Sequence, residues 1–114
     1  MKNFNSLKKN SDFQSVYRSG RSYANKYLIM YVKPKKERNT LIGISVSKKV
    51  GNSVVRHRVT RLIRESYRLN KNIFEDNIDI VIVARSAAKD KSFYEIESAL
   101  LHLGRVHNIL KELK

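Results

Sequence analysis

Seven residues, Ile78 to Ala84, restrict this chain more than any other stretch. They form a nearly continuous apolar run with Asp79 as the only charge. A strand with no polar face belongs in the middle of a sheet, covered on both sides, and Asp79 is expected at its beginning. The rest of the chain must supply that cover. Ser92-Phe93-Tyr94-Glu95 is a capping-box signal, and Ile96, Ala99, Leu100, Leu103, Val106, Leu110 and Leu113 keep one apolar stripe in step toward the C-terminus, so a final helix is predicted. From Ser53 to Leu69 a second helix is predicted, with Val55, Val59, Leu62 and Ile63 within about 100° of arc. Near the start, Ser11-Asp12-Phe13-Gln14 is another capping-box pattern. It opens a short helix that carries Phe13, Val16 and Tyr17 on one face and stops at Gly20 in a left-handed conformation.

Two further strands are predicted. Tyr23 to Val32 places Tyr27, Ile29 and Tyr31 on one face and Leu28, Met30 and Val32 on the other. After the polar connection Lys33 to Asn39, Thr40 to Ser47 alternates Ile42, Ile44 and Val46 with Gly43, Ser45 and Ser47. The small face leaves room for a ligand or another backbone. Tyr27 or Tyr31 would flank it, with Phe13 and Tyr17 as an opposing wall. The order helix, two strands, helix, strand, helix predicts an α/β sandwich, with residues 1–114 as one domain and neither repeat nor linker within it.

Charge is distributed unevenly over this plan. The 24 Lys and Arg against 10 Asp and Glu give a formal +14, and residues 1–68 hold 17 basic and 3 acidic side chains while residues 69–114 hold 7 of each. Such a field concentrates polyanions, which makes a nucleic acid or an anionic membrane the default partner. On the predicted second helix His57, Arg61, Arg64 and Arg68 fall within about 60° opposite the apolar stripe, flanked by Arg56 and Arg58. Glu65 is the only acid there. Solvated helix faces ordinarily mix signs to gain pairs four residues apart, so this one reads as a polyanion-binding face.

Several other chemistries are disfavoured. With no cysteine there is no disulfide framework, thiolate zinc site or Cys nucleophile. No stretch approaches the roughly 18 apolar residues of a membrane span, and Met1 to Ser11 lacks the apolar run of a signal peptide. A soluble, cytoplasmic protein is expected. His57, His102 and His107 have no metal-ligand spacing, and Glu75, Asp76 and Asp79 lie in a short turn before an apolar strand. Lys48 to Ser53 lacks the glycine order of a phosphate loop. The chain reads as a binder serving a reaction carried out elsewhere. A noncatalytic structural RNA binder, such as a ribosomal protein, fits the same helix, whereas a self-sufficient nuclease would need an acid/base constellation that the sequence does not offer.

The segment Gly43-Ile44-Ser45-Val46-Ser47-Lys48-Lys49-Val50-Gly51-Asn52-Ser53-Val54-Val55-Arg56-His57-Arg58 closely resembles the signature of bacterial ribonuclease P protein subunits. The likeness extends to Lys8-Lys9-Asn10 before Asp12-Phe13, to Gly20, Ala24-Asn25, the strand ending at Tyr31, Ala84-Arg85 and the last helix. The resemblance implies an α/β two-layer sandwich of a small mixed sheet and three helices, similar to the ribosomal protein S5 domain 2-like fold with a left-handed βαβ crossover. It also implies a cofactor protein for an RNA enzyme that removes the 5′ leader from precursor tRNA, with Mg2+ serving the RNA, no membrane and no obligate protein partner. On that likeness Lys48, Lys49, Asn52, Arg56, His57, Arg58, Arg61, Arg64 and Arg68 would meet the catalytic RNA. Phe13, Tyr17 and Tyr31 would line the leader cleft. Apolar spacing alone would turn Phe13 and Tyr17 into the core; the resemblance makes them a partly exposed stacking wall, suited to single strands of varied sequence. His57 stands where the family usually has Asn, and Thr60 where it is commonly basic.

Overall fold

The run from Ile78 to Ala84 is strand β5, the centre of a five-stranded sheet in a computed structural model that describes residues 5–111. Leu113 and the first four residues lie outside that range. The other elements are β1 (Asn5–Ser6), α1 (Asn10–Ser19), β2 (Arg21–Ala24), β3 (Leu28–Pro34), β4 (Leu41–Ser45), α2 (Ser53–Asn70) and α3 (Phe93–Val106). In the sheet order β1-β4-β5-β3-β2, β5 runs parallel to β4 and antiparallel to β3. Asp79 is the second residue of β5, and its carboxylate accepts a 2.7 Å bond from Lys35 Nζ.

Registry makes each face continuous. Ile80 lies beside Ile42 and Val32, and Ile82 beside Ile44 and Met30, so the even-numbered positions present one apolar surface. Helices α2 and α3 cover it with Val59, Ile63, Ile96, Leu100 and Leu103, all fully buried. On the opposite face α1 packs over β3 and β5, and among the described hydrophobic residues only Leu7, Val16 and Val81 are buried there.

Local chemistry explains where the elements depart from the sequence reading. The predicted strand Tyr23–Val32 breaks at Asn25, whose Oδ1 accepts from the backbone N–H groups of Tyr27 and Leu28 at 3.2 and 3.0 Å. This side-chain turn folds the segment into the β2–β3 hairpin. It also sends Tyr27 to the α2/α3 core, away from Tyr31. Helix α1 starts one residue before the expected capping box: Lys9 is its N-cap, without a side-chain cap. Gly20 is not left-handed, with φ −86°. A Cβ there would lie 2.6 Å from the Val16 carbonyl oxygen, so close approach is what requires glycine.

The capping box at Ser92 and Glu95 forms as the sequence indicates, both reciprocal bonds being present. At its other end α3 stops at Val106 instead of continuing through Leu110. Asn108 adopts φ 59°, and the chain turns back so that Leu110 pairs with Phe74. Gly104 admits this fold-back, since a Cβ would stand 2.8 Å from Leu110 Cδ2 and 3.2 Å from Phe74 Cε2. Leu110 therefore joins the main core from a returning segment, not from the helix.

Candidate nucleic-acid interface

The parallel connection from β4 to β5 carries the basic residues. Val50, buried, anchors the loop after β4 and leaves Lys48 and Lys49 exposed in the turn just before it. Asn52 then caps α2, its Oδ1 accepting from Val55 N–H at 3.0 Å, so that oxygen serves the helix. Because Val59 and Ile63 face the core, Arg56, His57, Thr60, Arg61 and Arg64 are turned toward the β4 side. With Ser53, Ile44 and Val46 they line a groove of about 430 Å³ that contains no acidic side chain. The Nε atoms of Arg56 and Arg64 are enclosed and have no hydrogen-bond partner in the structure. A buried donor on a permanent cation is costly without an acceptor, and an RNA phosphate would supply one.

The remaining arginines of α2 are placed differently. Arg58 donates from Nη2 to the Lys91 carbonyl at 2.8 Å and from Nη1 to that of Lys89 at 3.4 Å, tying α2 to the β5–α3 loop. Arg68 forms a two-pronged pair with Glu65, one turn away, through Nε and Nη2. The bond holds Glu65 below its usual carboxylate range and raises Arg68 further. Thr60, in place of a basic residue, donates its hydroxyl to the Arg56 carbonyl at 2.8 Å. His57 is exposed at the groove wall.

Across the sheet, Phe13, Tyr17 and Tyr31 meet as a half-exposed aromatic wall. Tyr17 and Tyr31 stand edge to face with centroids 4.9 Å apart, and Phe13 lies 6.5 Å from Tyr17. The bare strand position beneath them is occupied by the chain's own ring: a Cβ on Gly43 would be 2.6 Å from Phe13 Cε1. Gly43 thus seats Phe13. Beside it, Lys8, Asn10, Phe13, Tyr17, Ile44 and Ser45 border a groove of about 370 Å³. Ser45 belongs to the small strand face that alternation picks out, whereas Lys8 and Asn10 escape a reading by periodicity, although Lys8 next to an aromatic helix was an available signal.

The two grooves converge. β1 pairs with β4 only at Leu41 and Ile42, and the Leu7 N–H adds one bond to the Ile42 carbonyl. Beyond that point no described strand pairs with the outer edge of β4, and Ile44 borders both grooves, one on each face of the sheet.

Among the described residues no three His, Asp or Glu side chains gather as a metal site requires. Four of the carboxylates have other work: Asp79 pairs with Lys35, Asp76 with Arg38 at 3.0 Å, Glu97 accepts from Asn70, and Glu95 caps α3. No helix among the described residues is long and apolar enough to cross a membrane.

Residues 1–107 match the family model described as Ribonuclease P. The ribonuclease P protein component of Lachnoclostridium phytofermentans is 58% identical over 105 residues, covering 92% of this chain and 90% of its own. That of Alkaliphilus metalliredigens is 55% identical, covering 92% and 95%. The solved RNase P protein of Staphylococcus aureus superposes with a TM-score of 0.86 at 36% identity, over 93% of this chain and 97% of that one. The Thermotoga maritima protein gives 0.81 at 26%, over 89% and 96%. This chain belongs to the Ribonuclease P family, the protein subunits of an endoribonuclease of tRNA processing in which RNA carries the catalysis.

Proposed function

We propose that this protein clamps two RNAs at one edge of its sheet. The basic groove of Arg56, His57, Arg61 and Arg64, with Lys48 and Lys49 at its entrance, holds the catalytic RNA. Phe13, Tyr17 and Tyr31 hold the single-stranded 5′ leader of precursor tRNA. The observation that carries this reading is the convergence of the two grooves on Ile44, where no described strand pairs with the outer edge of β4. A helix face of unpaired guanidinium groups suits a folded phosphate backbone, whereas half-exposed rings suit unstacked bases of any sequence. Arg58 and Arg68 have backbone and carboxylate partners and stand outside the phosphate contacts.

The protein's part is positioning. Cations on α2 lower the repulsion between the catalytic RNA and its substrate, and the leader lying along α1 adds binding that mature tRNA lacks. Mg2+ supplies the hydrolytic chemistry on the RNA. The compartment of this reaction is the bacterial cytoplasm.

Reconstitution tests the proposal. At low Mg2+, adding the protein to its cognate, folded catalytic RNA should restore cleavage of precursor tRNA and lower its KM relative to mature tRNA binding. Absence of stimulation would overturn it.

A further inference from the structure

A third surface lies at the end of the sheet where β4 and β5 finish and β3 begins, and it shares no lining residue with either groove. Three segments are stitched together there. Arg85 donates its backbone N–H to the Tyr27 carbonyl and its Nη1 to that of Asn25, both at 2.8 Å. Ser86 Oγ reaches the Lys49 carbonyl at 3.5 Å, and Arg58 holds the carbonyls of Lys89 and Lys91 from below. The β2–β3 turn, the loop after β4 and the β5–α3 loop are therefore one continuous surface.

At its centre, between the turn and the first half of α3, is a pocket of about 420 Å³ with mainly apolar walls. Tyr27, Tyr94 and Ala99 form its walls; Asn25 Nδ2 is committed to the Ala99 carbonyl at 2.9 Å and His102 Nδ1 at 3.1 Å, which leaves Ser98 and the other ring nitrogen of His102 as the hydrogen-bonding groups at its border. Tyr94 is 77% exposed and so contributes little to the core. The ammonium groups of Lys91 and Lys26 lie 5.5 and 5.9 Å from the Tyr27 ring centroid. Lys26 and Glu95 line the pocket, Lys91 stands over Tyr27, and the adjoining β5–α3 loop adds Arg85 and Lys89, with Asp90 as that loop's one acid. Glu95 is held by the Ser92 backbone N–H and Asp90 lies 3.7 Å from Lys91.

Flat aromatic walls, polar groups at the border and an excess of cations together fit one chemistry: a planar base on a phosphodiester chain. An apolar peptide would fill the pocket and leave the cations unmatched. We propose that this end of the molecule is a second RNA-binding surface, in which one unpaired base of the catalytic RNA stacks on Tyr94 while Arg85 and Lys89 take the flanking phosphates. The inference rests on the reading that the partner is RNA, and Lys49 makes the surface continuous with the loop assigned to that partner. Arg58 is then a positioning residue that holds the loop bearing Lys89.

The test uses the full chain and its cognate catalytic RNA, with Arg64→Ala as the control for the basic groove. Tyr94→Ala should weaken RNA binding about tenfold without changing its salt dependence, and Tyr94→Phe should restore it, since a stacked base is lost and regained. Ser98→Trp, which fills the pocket without altering charge, should cause a similar loss. Wild-type affinity in both Tyr94→Ala and Ser98→Trp overturns the proposal. If Arg64→Ala still weakens binding in that case, the basic-groove reading stands alone; if all three bind as wild type does, both readings fail.

Discussion

The face of the sheet under α2 and α3 and the face under α1 are made from alternate residues of the same strands, yet they are finished differently. On the first, Leu28, Met30, Ile80 and Ile82 are wholly excluded from water. On the second, burial extends to Leu7, Val16 and Val81, and the larger side chains Phe13, Tyr17 and Tyr31 stay half exposed. Burial of apolar area on the α2/α3 side supplies most of the stability, which frees the other side to present aromatic area to a ligand. One strand pattern thus serves both folding and recognition.

Substitutions can break or sharpen this contrast. The largest effect is expected from Ile82→Ala, which should cost about 2–5 kcal/mol in urea unfolding because a fully buried side chain leaves a cavity. Tyr17→Ala should cost clearly less stability but reduce the preference for precursor over mature tRNA by about 1–3 kcal/mol. Equal destabilisation by the two changes would erase the distinction between the faces. Within α2, Arg64→Ala should make the salt dependence of catalytic-RNA binding shallower by about 0.7–0.9 in log–log slope, as for one phosphate lost. Arg68→Ala should leave both that slope and the urea midpoint unchanged, because its charge is paired with Glu65 at the surface.

The smallest effect concerns His107. Burial pushes its imidazole below the ordinary 6.5; the Nε2 bond to the Met30 carbonyl at 2.8 Å opposes this shift, and Arg21 adds to it. The unfolded chain therefore takes up this proton at higher pH than the folded one. Stability from this group is complete above pH 6.5 and declines as pH falls through the folded value. Thermal melts at pH 7.5 and 5.5 should show the drop, and His107→Gln should reduce it. Glu65 and Glu95, both held below their ordinary 4.5, titrate beneath this window. An undiminished drop in the variant would remove His107 as its source.

Strong periodicity made much of this architecture legible. The apolar run of β5, the two-sided pattern of β3, the charge-split α2 and the capping box of α3 can each be read from spacing. Features set by single side chains against distant backbone could not. The interruption at Asn25 is local and lies in the weak strand formers Ala24-Asn25-Lys26, but aromatic and branched residues on both sides mask it; β1 is two residues long, with no period to read. Gly43 looked like space for a ligand because nothing in the sequence shows Phe13 lying above it. The candidate interface divides in the same way. Helical spacing grouped the arginines of α2, but only the fold separates Arg56 and Arg64, with enclosed and unpartnered Nε atoms, from Arg58 and Arg68.

The sheet order has a consequence in time. β1 with β4 and β2 with β3 form two pairs that share no edge until β5 enters between them. During synthesis from the N-terminus, four strands emerge first, and the central one, residues 78–84, comes after all of them. The floor beneath the aromatic wall includes Val81 and Val83, so that wall has no foundation while β5 is still unmade. Nascent chains bearing the whole basic helix would already attract RNA, but the two RNA grooves reach their mutual geometry only when this last strand locks the halves together.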